Sequence, residues 1–428
     1  MNLRVPSLAI LFCAGLAVLA QKIEITPNPV LIDQTAALRV TGLQPNAAVT
    51  VQADLVDGAG HGWKSEAQFT ADAEGTVNPA TQAPVKGSYR SVSAMGLIWS
   101  MRSPDRDVHV YVPPRELVSQ IIHFHLLQDG REIATGQLVQ AVIADGVRRV
   151  DLKGDLHGAL FLPASEGKHP GILVLGGSEG GAPMARAAWL ASHGYAALAL
   201  AYFHYEGLPD MLRDIPLEYF GEALAWMAQR PEIDGRRLGV MGTSRGGELA
   251  LQLGSIYPEI HAVAAYVPAN VRYPSCCGRP FGAAWTLRGE SLAWALPQLH
   301  RDPAAMMRAM IAVENTRGPI LMIGAESDGV WPSAEMVRAA ADRLRQQHFA
   351  YPVVVLIYPH AGHRAGMPAI VPAWHNGFPH PLTGRPMDPG GTPEGNAAST
   401  LDAIPRVLDF LSQSLGGAAP PVAPAAAQ

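Results

Sequence analysis

The chain has 428 residues, of which 48% are hydrophobic and 16% are charged. This composition supplies material for a large apolar core and is not typical of an intrinsically disordered chain. The formal net charge of −5 and the lack of a lysine or arginine run argue against nucleic-acid binding and against a polybasic membrane patch. The length predicts two domains.

The first residues have the pattern of an export signal. Arg4 supplies a positive charge, the stretch 8–20 is apolar, and Val-Leu-Ala at 18–20 forms a cleavage-site pattern before Gln21. The apolar stretch is shorter than the roughly 20 residues of a membrane-spanning helix. We therefore expect residues 1–20 to be a cleavable signal peptide. The mature chain would then be exported, either periplasmic or secreted, and would have no stable membrane span. An uncleaved signal would instead anchor it to a membrane.

Residues 21–145 show the pattern of half-buried strands. Within 49–55, for example, apolar and polar residues alternate, as they do when successive side chains face opposite sides of a sheet. Asp129 and Gly130 form a hairpin turn signal between two strand-like runs. Several short strands joined by such turns predict an all-β, immunoglobulin-like sandwich domain.

Residues 150–415 show a different pattern, in which short apolar runs alternate with helical spacing. The runs are 171–177, 195–202, 238–242, 262–267, 319–324 and 352–358. Such continuous apolar runs are typical of strands buried on both faces of a parallel sheet. Helical spacing is shown by Leu217, Phe220, Leu224 and Met227, and by Leu401, Ile404, Leu408 and Leu411. Together these segments predict a doubly wound α/β domain.

Two segments fit neither pattern. Residues 372–398 are rich in proline and glycine, so we expect a long ordered loop near the functional site. Residues 416–428 consist largely of glycine, alanine and proline, which predicts a disordered tail.

Ser244 is the candidate nucleophile because of the motif Gly-Thr-Ser-Arg-Gly at 242–246. The motif follows the apolar run 238–241 and precedes a helix-like stretch, which is the strand–turn–helix context of a nucleophile elbow. The flanking glycines allow the turn to be tight, and the serine at its apex faces the site. This context predicts an α/β-hydrolase domain with a serine nucleophile.

A serine hydroxyl needs a base and an acid, which follow it in chain order in this fold. Asp328 lies after the run 319–324 and is the first candidate acid, with Glu326 as the alternative. His363 lies after the run 352–358 and is the candidate base, with His360 as the alternative. A histidine in the loop after a late strand is where the base of a triad is expected.

An oxyanion hole requires preorganised hydrogen-bond donors. The backbone N–H of Arg245, directly after the nucleophile, is one expected donor. Gly177 or Ser178, in the glycine-rich loop after the run 171–177, is expected to supply the other. A glycine-rich loop also occurs in phosphate sites, but the phosphate-binding patterns GxGxxG and GK[ST] are missing here.

The cysteines offer no metal-binding pattern. The chain has three, and signal cleavage would leave only Cys276 and Cys277. These adjacent residues form either a vicinal disulfide or two thiols in a loop. Nothing in the sequence indicates a metal or an organic cofactor.

Several longer motifs together resemble one family, the acyl-CoA thioesterases and bile acid-CoA:amino acid N-acyltransferases. They are Met-Gly-Leu-Ile-Trp at 95–99, Leu-Ala-Tyr-Phe-His-Tyr-Glu-Gly-Leu-Pro at 200–209, Leu-Glu-Tyr-Phe at 217–220, Gly-Thr-Ser-Arg-Gly-Gly-Glu-Leu at 242–249, Ala-Asn-Val at 269–271 and Tyr-Pro-His-Ala-Gly-His at 358–363. The resemblance covers most of the chain. It implies a β-sandwich followed by an α/β-hydrolase domain, with Ser244, Asp328 and His363 as catalytic triad.

The resemblance also implies a function. The transferase branch uses a cysteine nucleophile, so the serine here favours hydrolysis of acyl thioesters, with acyl-CoA as the expected substrate, through an acyl-enzyme. Three alternatives stay open. They are an exported carboxylesterase or lactone hydrolase that does not use CoA, an acyl-CoA:amino acid N-acyltransferase, and a non-catalytic binding protein.

Overall fold

The computed structural model describes residues 20–114, 117–296 and 302–416. The predicted signal peptide, apart from Ala20, and all but the first residue of the predicted tail lie outside the described residues. Within the described ranges, every helix is too short or too polar to cross a membrane.

The N-terminal part is built almost entirely of strands. They are β1 (Lys22–Thr26), β2 (Val30–Leu31), β3 (Ala37–Thr41), β4 (Ala48–Val56), β5 (Gly62–Thr70), β6 (Lys86–Gly87), β7 (Gln120–Gln128) and β8 (Arg131–Ala141), together with the short helix α1 (Gly96–Trp99). Six of the strands form a sheet in the order β2-β8-β7-β4-β5-β6, and β1 pairs with β3. The part is therefore all-β apart from α1, while its assignment as immunoglobulin-like and the boundary near 145 stay predictions.

The side-chain alternation predicted from the sequence sets the faces of this sheet. Along β4, Val49, Val51, Ala53 and Leu55 are buried and their neighbours are more exposed. A strand alternates sides at every residue, so one face of β4 contributes to the core. The predicted turn is also present, because Asp129 connects β7 and β8 with a φ of 50°.

The C-terminal part alternates strands and helices. The strands are β9 (Arg148–Asp151), β10 (His157–Leu162), β11 (His169–Leu175), β12 (Ala196–Ala201), β13 (Ile215–Pro216), β14 (Ile233–Thr243), β15 (Ile260–Tyr266), β16 (Trp285–Leu287), β17 (Glu290–Ser291), β18 (Ile320–Ala325), β19 (Val353–Tyr358), β20 (Phe378–Pro379) and β21 (Pro386–Met387). The helices are α2 (Met184–Ser192), α3 (Glu218–Ala228), α4 (Arg245–Ile256), α5 (Pro303–Ala309), α6 (Ser333–Gln346) and α7 (Pro393–Leu415), and Val313–Asn315 form a 3-10 turn.

Eight of these strands form the central sheet, in the order β19-β18-β15-β14-β11-β12-β10-β9. The six strands from β19 to β12 are parallel, and β10 and β9 continue the sheet in antiparallel pairing. Each of the six parallel strands coincides with one of the six apolar runs, since strands covered on both faces by helices need apolar side chains on both sides. This is the α/β-hydrolase arrangement predicted from the sequence.

The loop predicted over 372–398 extends too far, because its last residues, from Pro393 on, are helical. Helix α7 begins at Pro393, because Thr392 caps it by accepting a hydrogen bond from the Gly395 N–H at 3.0 Å. A threonine followed by proline is a strong helix start, since the proline occupies a position whose N–H has no intrahelical acceptor. The remainder of the segment is loop with the short strands β20 and β21.

Helix α7 joins the two parts of the molecule. Ala397 and Ile404 pack in the core of the N-terminal sheets, whereas Ala403, Val407 and Phe410 pack in the core of the central sheet. One helix therefore contributes buried side chains to both hydrophobic cores.

Candidate active site

Ser244 lies at the sharp turn between β14 and α4. Its φ is 58° and its ψ is −119°, a conformation that costs energy for any residue with a side chain. Its N–H donates to the Tyr266 carbonyl at 2.9 Å, which ties the turn to the neighbouring strand β15. The side chain is 8% exposed. The tight turn therefore places the Ser244 hydroxyl at the C-terminal edge of the sheet, where α/β folds have their functional sites.

Two glycines make this turn possible. A Cβ on Gly242 would lie 1.9 Å from the Gly246 carbonyl oxygen, and a Cβ on Gly246 would lie 2.3 Å from the Gly176 carbonyl oxygen. Both obstacles are backbone atoms that cannot rotate away. The glycines of the motif are thus required by packing around the turn.

His363 is the histidine in contact with Ser244. Its Nε2 lies 2.8 Å from the Ser244 Oγ. The loop that carries the ring is held by the His363 N–H, which donates to the Pro389 carbonyl at 2.7 Å, and by the Gly362 N–H, which donates to the Asn396 Oδ1 at 2.8 Å. The alternative base, His360, is exposed, and its carbonyl accepts from the Thr392 N–H.

Asp328 lies on the other side of the imidazole. Its Oδ2 is 2.8 Å from the His363 Nδ1, and its Oδ1 accepts from the Val330 and Trp331 N–H groups at 2.9 and 3.3 Å. The carboxylate is 0% exposed. The alternative acid, Glu326, pairs at the surface with Arg338. The structure therefore brings Ser244, His363 and Asp328 together and leaves Glu326 outside the cluster.

Trp331 is a part of the site that the sequence did not suggest. Its ring lies edge-on to the His363 imidazole, with 5.4 Å between the ring centroids, and its Nε1 donates to the Val267 carbonyl at 3.1 Å. A large aromatic ring beside the imidazole covers one of its sides. Together with the Asp328 hydrogen bond, it limits the orientations that the base can take.

Replacing Asp328 with asparagine is expected to lower kcat about 10⁴-fold, because an amide can neither fix the tautomer of His363 nor stabilise the imidazolium. The same change at Glu326 removes only a surface ion pair and should leave kcat within about twofold. Steady-state hydrolysis by the two purified variants measures both effects. An inactive Glu326→Gln variant beside an active Asp328→Asn variant would reverse the assignment.

The glycine-rich loop after β11 lies against the nucleophile. A Cβ on Gly177 would be 3.4 Å from the Ser244 Cβ. The Gly177 N–H donates to the Glu179 Oε1 at 3.0 Å, and the Ser178 Oγ lies 2.9 Å from the His380 Nε2. The Gly177 N–H, which is predicted to bind an oxyanion, is therefore already hydrogen-bonded to the Glu179 carboxylate. Gly177 can donate to an oxyanion only after that carboxylate moves away.

Arg245, the other expected oxyanion donor, is the first residue of α4. The first N–H groups of a helix have no intrahelical acceptor, so its backbone can donate to a developing negative charge. Its side chain points elsewhere and donates to the Tyr273 and Pro274 carbonyls at 3.1 and 2.9 Å. Its Nε also lies 3.3 Å from the Glu248 Oε2, although the two atoms are not aligned for a hydrogen bond.

Glu248 completes this buried pair. Its carboxylate is 0% exposed and its Oε1 accepts from the Trp285 Nε1 at 2.8 Å. Burial raises the pKa of Glu248, and the nearby Arg245 guanidinium opposes that change. The Arg245–Glu248 pair therefore lies in the first turn of α4 and is shielded from solvent. Arg245 and Glu248 are only three residues apart, but their burial could not be read from the sequence because it depends on Tyr273, Pro274 and Trp285, which are distant along the chain.

Replacing Glu248 with alanine is expected to lower the free energy of unfolding by about 3–5 kcal/mol, because it leaves the Arg245 charge buried without its acidic partner. The matched change at Glu232, whose ion pair with Arg230 is partly exposed, should cost no more than about 1 kcal/mol. Urea unfolding of both variants tests this. Equal losses would show that the buried pair has no special role.

Cys276 and Cys277 lie beside the glycine-rich loop. The structure joins them by a disulfide, and the Cys277 Sγ lies 3.8 Å from the His380 Nε2. Through His380 they are linked to Ser178. Within the described ranges, these two cysteines and His380 are also the one group of three or more His, Cys, Asp or Glu side chains whose ligand atoms all lie within 4.8 Å of one another.

Comparison with known proteins gives a consistent result along the chain. The family model "Acyl-CoA thioester hydrolase/BAAT N-terminal region" matches residues 33–154, and "BAAT / Acyl-CoA thioester hydrolase C terminal" matches 215–276 and 292–417. Acyl-coenzyme A thioesterase 6 of Mus musculus is 32% identical over 91% of this chain and 95% of its own. Acyl-coenzyme A amino acid N-acyltransferase 1 of Mus musculus is 32% identical over 92% of this chain and 98% of its own.

Proposed function

We propose, since this chain belongs to the acyl-CoA thioester hydrolase/BAAT family, that it hydrolyses acyl thioesters and that acyl-CoA is its substrate. One observation carries the mechanism: the unbroken series of contacts from Asp328 to His363 and from His363 to Ser244, each at 2.8 Å. This series matches the geometry that activates a serine hydroxyl.

In the proposed first half-reaction, the Ser244 Oγ attacks the thioester carbonyl carbon while its proton passes to the His363 Nε2. The tetrahedral intermediate then collapses, the carbon–sulfur bond breaks, and the imidazolium gives its proton to the departing sulfur. Asp328 stabilises the imidazolium throughout. The products of this half are a free thiol and an ester between the acyl group and Ser244.

In the second half-reaction, His363 takes a proton from water as the water oxygen attacks the acyl-enzyme carbonyl. Collapse of this intermediate returns the proton to the Ser244 Oγ and releases the carboxylic acid. Both intermediates carry a negative oxygen, for which the Arg245 N–H and a donor from Gly177 or Ser178 are the proposed partners. For Gly177 this requires the Glu179 carboxylate to leave its N–H, because two negative groups would compete for one donor.

Acyl transfer to an amine is the second candidate function. It is supported by the relative named as an amino acid N-acyltransferase, which is as similar to this chain as the thioesterase. An amine would take the place of water in the second half-reaction and form an amide. The serine nucleophile favours water as the acceptor, because the family resemblance associates transfer with a cysteine at this position.

A substrate panel separates these functions. The mature chain from Gln21 is offered acyl-CoA thioesters, matched p-nitrophenyl esters, and acyl-CoA with glycine as acceptor, with Ser244→Ala as control. We expect release of thiol and free acid from acyl-CoA. Faster turnover of the oxygen esters would identify an exported carboxylesterase, and formation of acylglycine would identify the transferase.

Export is the remaining proposal, and it rests on the N-terminal sequence alone. Expression of the full-length chain in a bacterium, followed by N-terminal sequencing of the periplasmic fraction, should give a chain that begins at Gln21. Recovery of the chain from the cytoplasm with Met1 intact would contradict it.

A further inference from the structure

A cavity of about 170 Å³ lies between the N-terminal strands and the α/β part. Apolar side chains form most of its wall, among them Trp99, Trp189, Met367 and Ile370. Its polar lining side chains include two arginines, Arg186 from α2 and Arg364 from the loop after β19. Among the described residues, the lining contains no aspartate or glutamate. The cavity is therefore apolar and positively charged.

Arg186 is buried, and none of the described carboxylates forms an ion pair with it. It is 8% exposed, its guanidinium lies over the Tyr266 ring at 4.4 Å, and its Nη2 donates to the Met367 Sδ at 2.8 Å. Its Nη1 is buried and has no hydrogen-bond partner. Burial lowers the pKa of Arg186, and Tyr266 and, to a smaller extent, Glu179 oppose this change. An unmet donor in an apolar wall is costly, so its retention suggests a use.

Arg364 supplies a second cation to the same cavity. It follows His363 directly, and none of the described residues forms a hydrogen bond or an ion pair with its side chain. Burial lowers the pKa of Arg364, and the Tyr111 phenol opposes this change. Two guanidinium groups thus line one small apolar space, and within the described ranges neither has a carboxylate partner. Ordinary structural arginines are paired when they are buried.

We infer that this cavity is a binding site for a small carboxylate with an apolar body. A carboxylate matches the planar guanidinium fork and would offset the buried Arg186 and the half-buried Arg364, while the apolar body would fill the remaining space. The volume is close to that of a cavity of about 150 Å³ that holds benzene, so a ligand the size of hexanoate or benzoate fits. Inorganic phosphate is a poorer match, since it would lose its hydration without gaining apolar contacts.

The site is separate from the proposed reaction centre. Ser244, His363 and Asp328 do not line the cavity. Between them lie Tyr266, whose ring stacks on Arg186 and whose carbonyl binds the Ser244 N–H, and the backbone that joins His363 to Arg364. Carboxylate binding there is therefore independent of the proposed function, and the Ser244→Ala variant should bind hexanoate as tightly as the parent chain.

The test is calorimetric titration of the mature chain from Gln21 with sodium hexanoate. Hexan-1-ol and sodium phosphate serve as comparison ligands. We expect saturable hexanoate binding and no comparable binding of the other two. Arg186→Met and Arg364→Met should each weaken hexanoate binding by at least about tenfold, because each removes charged hydrogen bonds. Arg236→Met, at an arginine whose side chain is 92% exposed, should bind hexanoate normally.

Thermal unfolding separates a binding role from a structural one. Without ligand, Arg186→Met should melt at the same temperature as the parent chain or higher, because it removes an uncompensated buried charge. Ala369→Leu, which adds volume at a lining residue and keeps both arginines, should abolish hexanoate binding. Hexan-1-ol or phosphate binding as tight as hexanoate would overturn the inference. So would full hexanoate affinity in both arginine variants, or in Ala369→Leu.

Discussion

Replacement of Ser244 by alanine is expected to lower kcat/KM for acyl-CoA about 10⁴- to 10⁶-fold, since removal of a triad nucleophile has effects of this size. The variant keeps the turn, the oxyanion donors and substrate binding, but it has no oxygen that can form the acyl-enzyme. The residual rate would come from binding and oxyanion stabilisation alone. Thiol release at acyl-CoA concentrations well below KM measures the loss.

The matched control for this prediction is Ser255→Ala. Ser255 lies near the other end of α4 and donates to the Gln252 carbonyl at 2.7 Å, so it shares the helix but not the site. Its removal should leave kcat/KM within about twofold, as for most substitutions away from a site. Comparable turnover by the Ser244→Ala and Ser255→Ala variants would mean that another residue, or water itself, attacks the thioester.

Replacement of His363 by alanine is expected to lower kcat by a similar factor, about 10⁴- to 10⁶-fold, because the Ser244 hydroxyl then has no base at 2.8 Å. The loss should fall on kcat more than on KM, since the imidazole acts in the transition state. His360→Ala provides the comparison within the same loop. His360 is exposed, so its loss should be close to neutral.

Two further measurements strengthen the His363 prediction. Circular dichroism should match the parent chain, because Pro389 and Asn396 hold this loop through its backbone and not through the imidazole. The double variant with Ser244→Ala should be no less active than either single variant, since members of a triad act as one unit. Additive losses would show that Ser244 and His363 work in separate steps.

The turn at Ser244, between β14 and α4, is the part of the site that the sequence predicts best. The turn could be predicted because its requirements are local: an apolar strand, two glycines whose Cβ positions are blocked by backbone, and a helix after Ser244. The alternation of strands and helices and the order nucleophile, acid, base followed from general rules of α/β folds. The six parallel strands were placed to within a few residues because burial on both faces leaves a continuous apolar signal.

The choice between neighbouring candidates could not be fixed in the same way. Glu326 and Asp328 both lie just beyond β18, and only the path of the loop places one against His363 and the other against Arg338. His360 and His363 present the same problem. A sequence gives the strand end, but the direction of each side chain beyond it depends on contacts made by the rest of the fold.

Long-range partners were the main omission. Trp331 covers the His363 ring, and α7 buries its faces in two cores. The position of Arg186 in the wall of an apolar cavity could not be predicted either. None of these produces a local pattern, because each depends on residues brought together from distant parts of the chain.

Covalent labelling of Ser244 tests the central claim most directly. The mature chain would be treated with a fluorophosphonate, with and without excess acyl-CoA, digested, and analysed by peptide mass spectrometry. We predict one adduct on the peptide containing Ser244, slowed by acyl-CoA and missing from the Ser244→Ala variant. An adduct on a different residue, or undiminished labelling of the Ser244→Ala variant, would contradict the proposed mechanism.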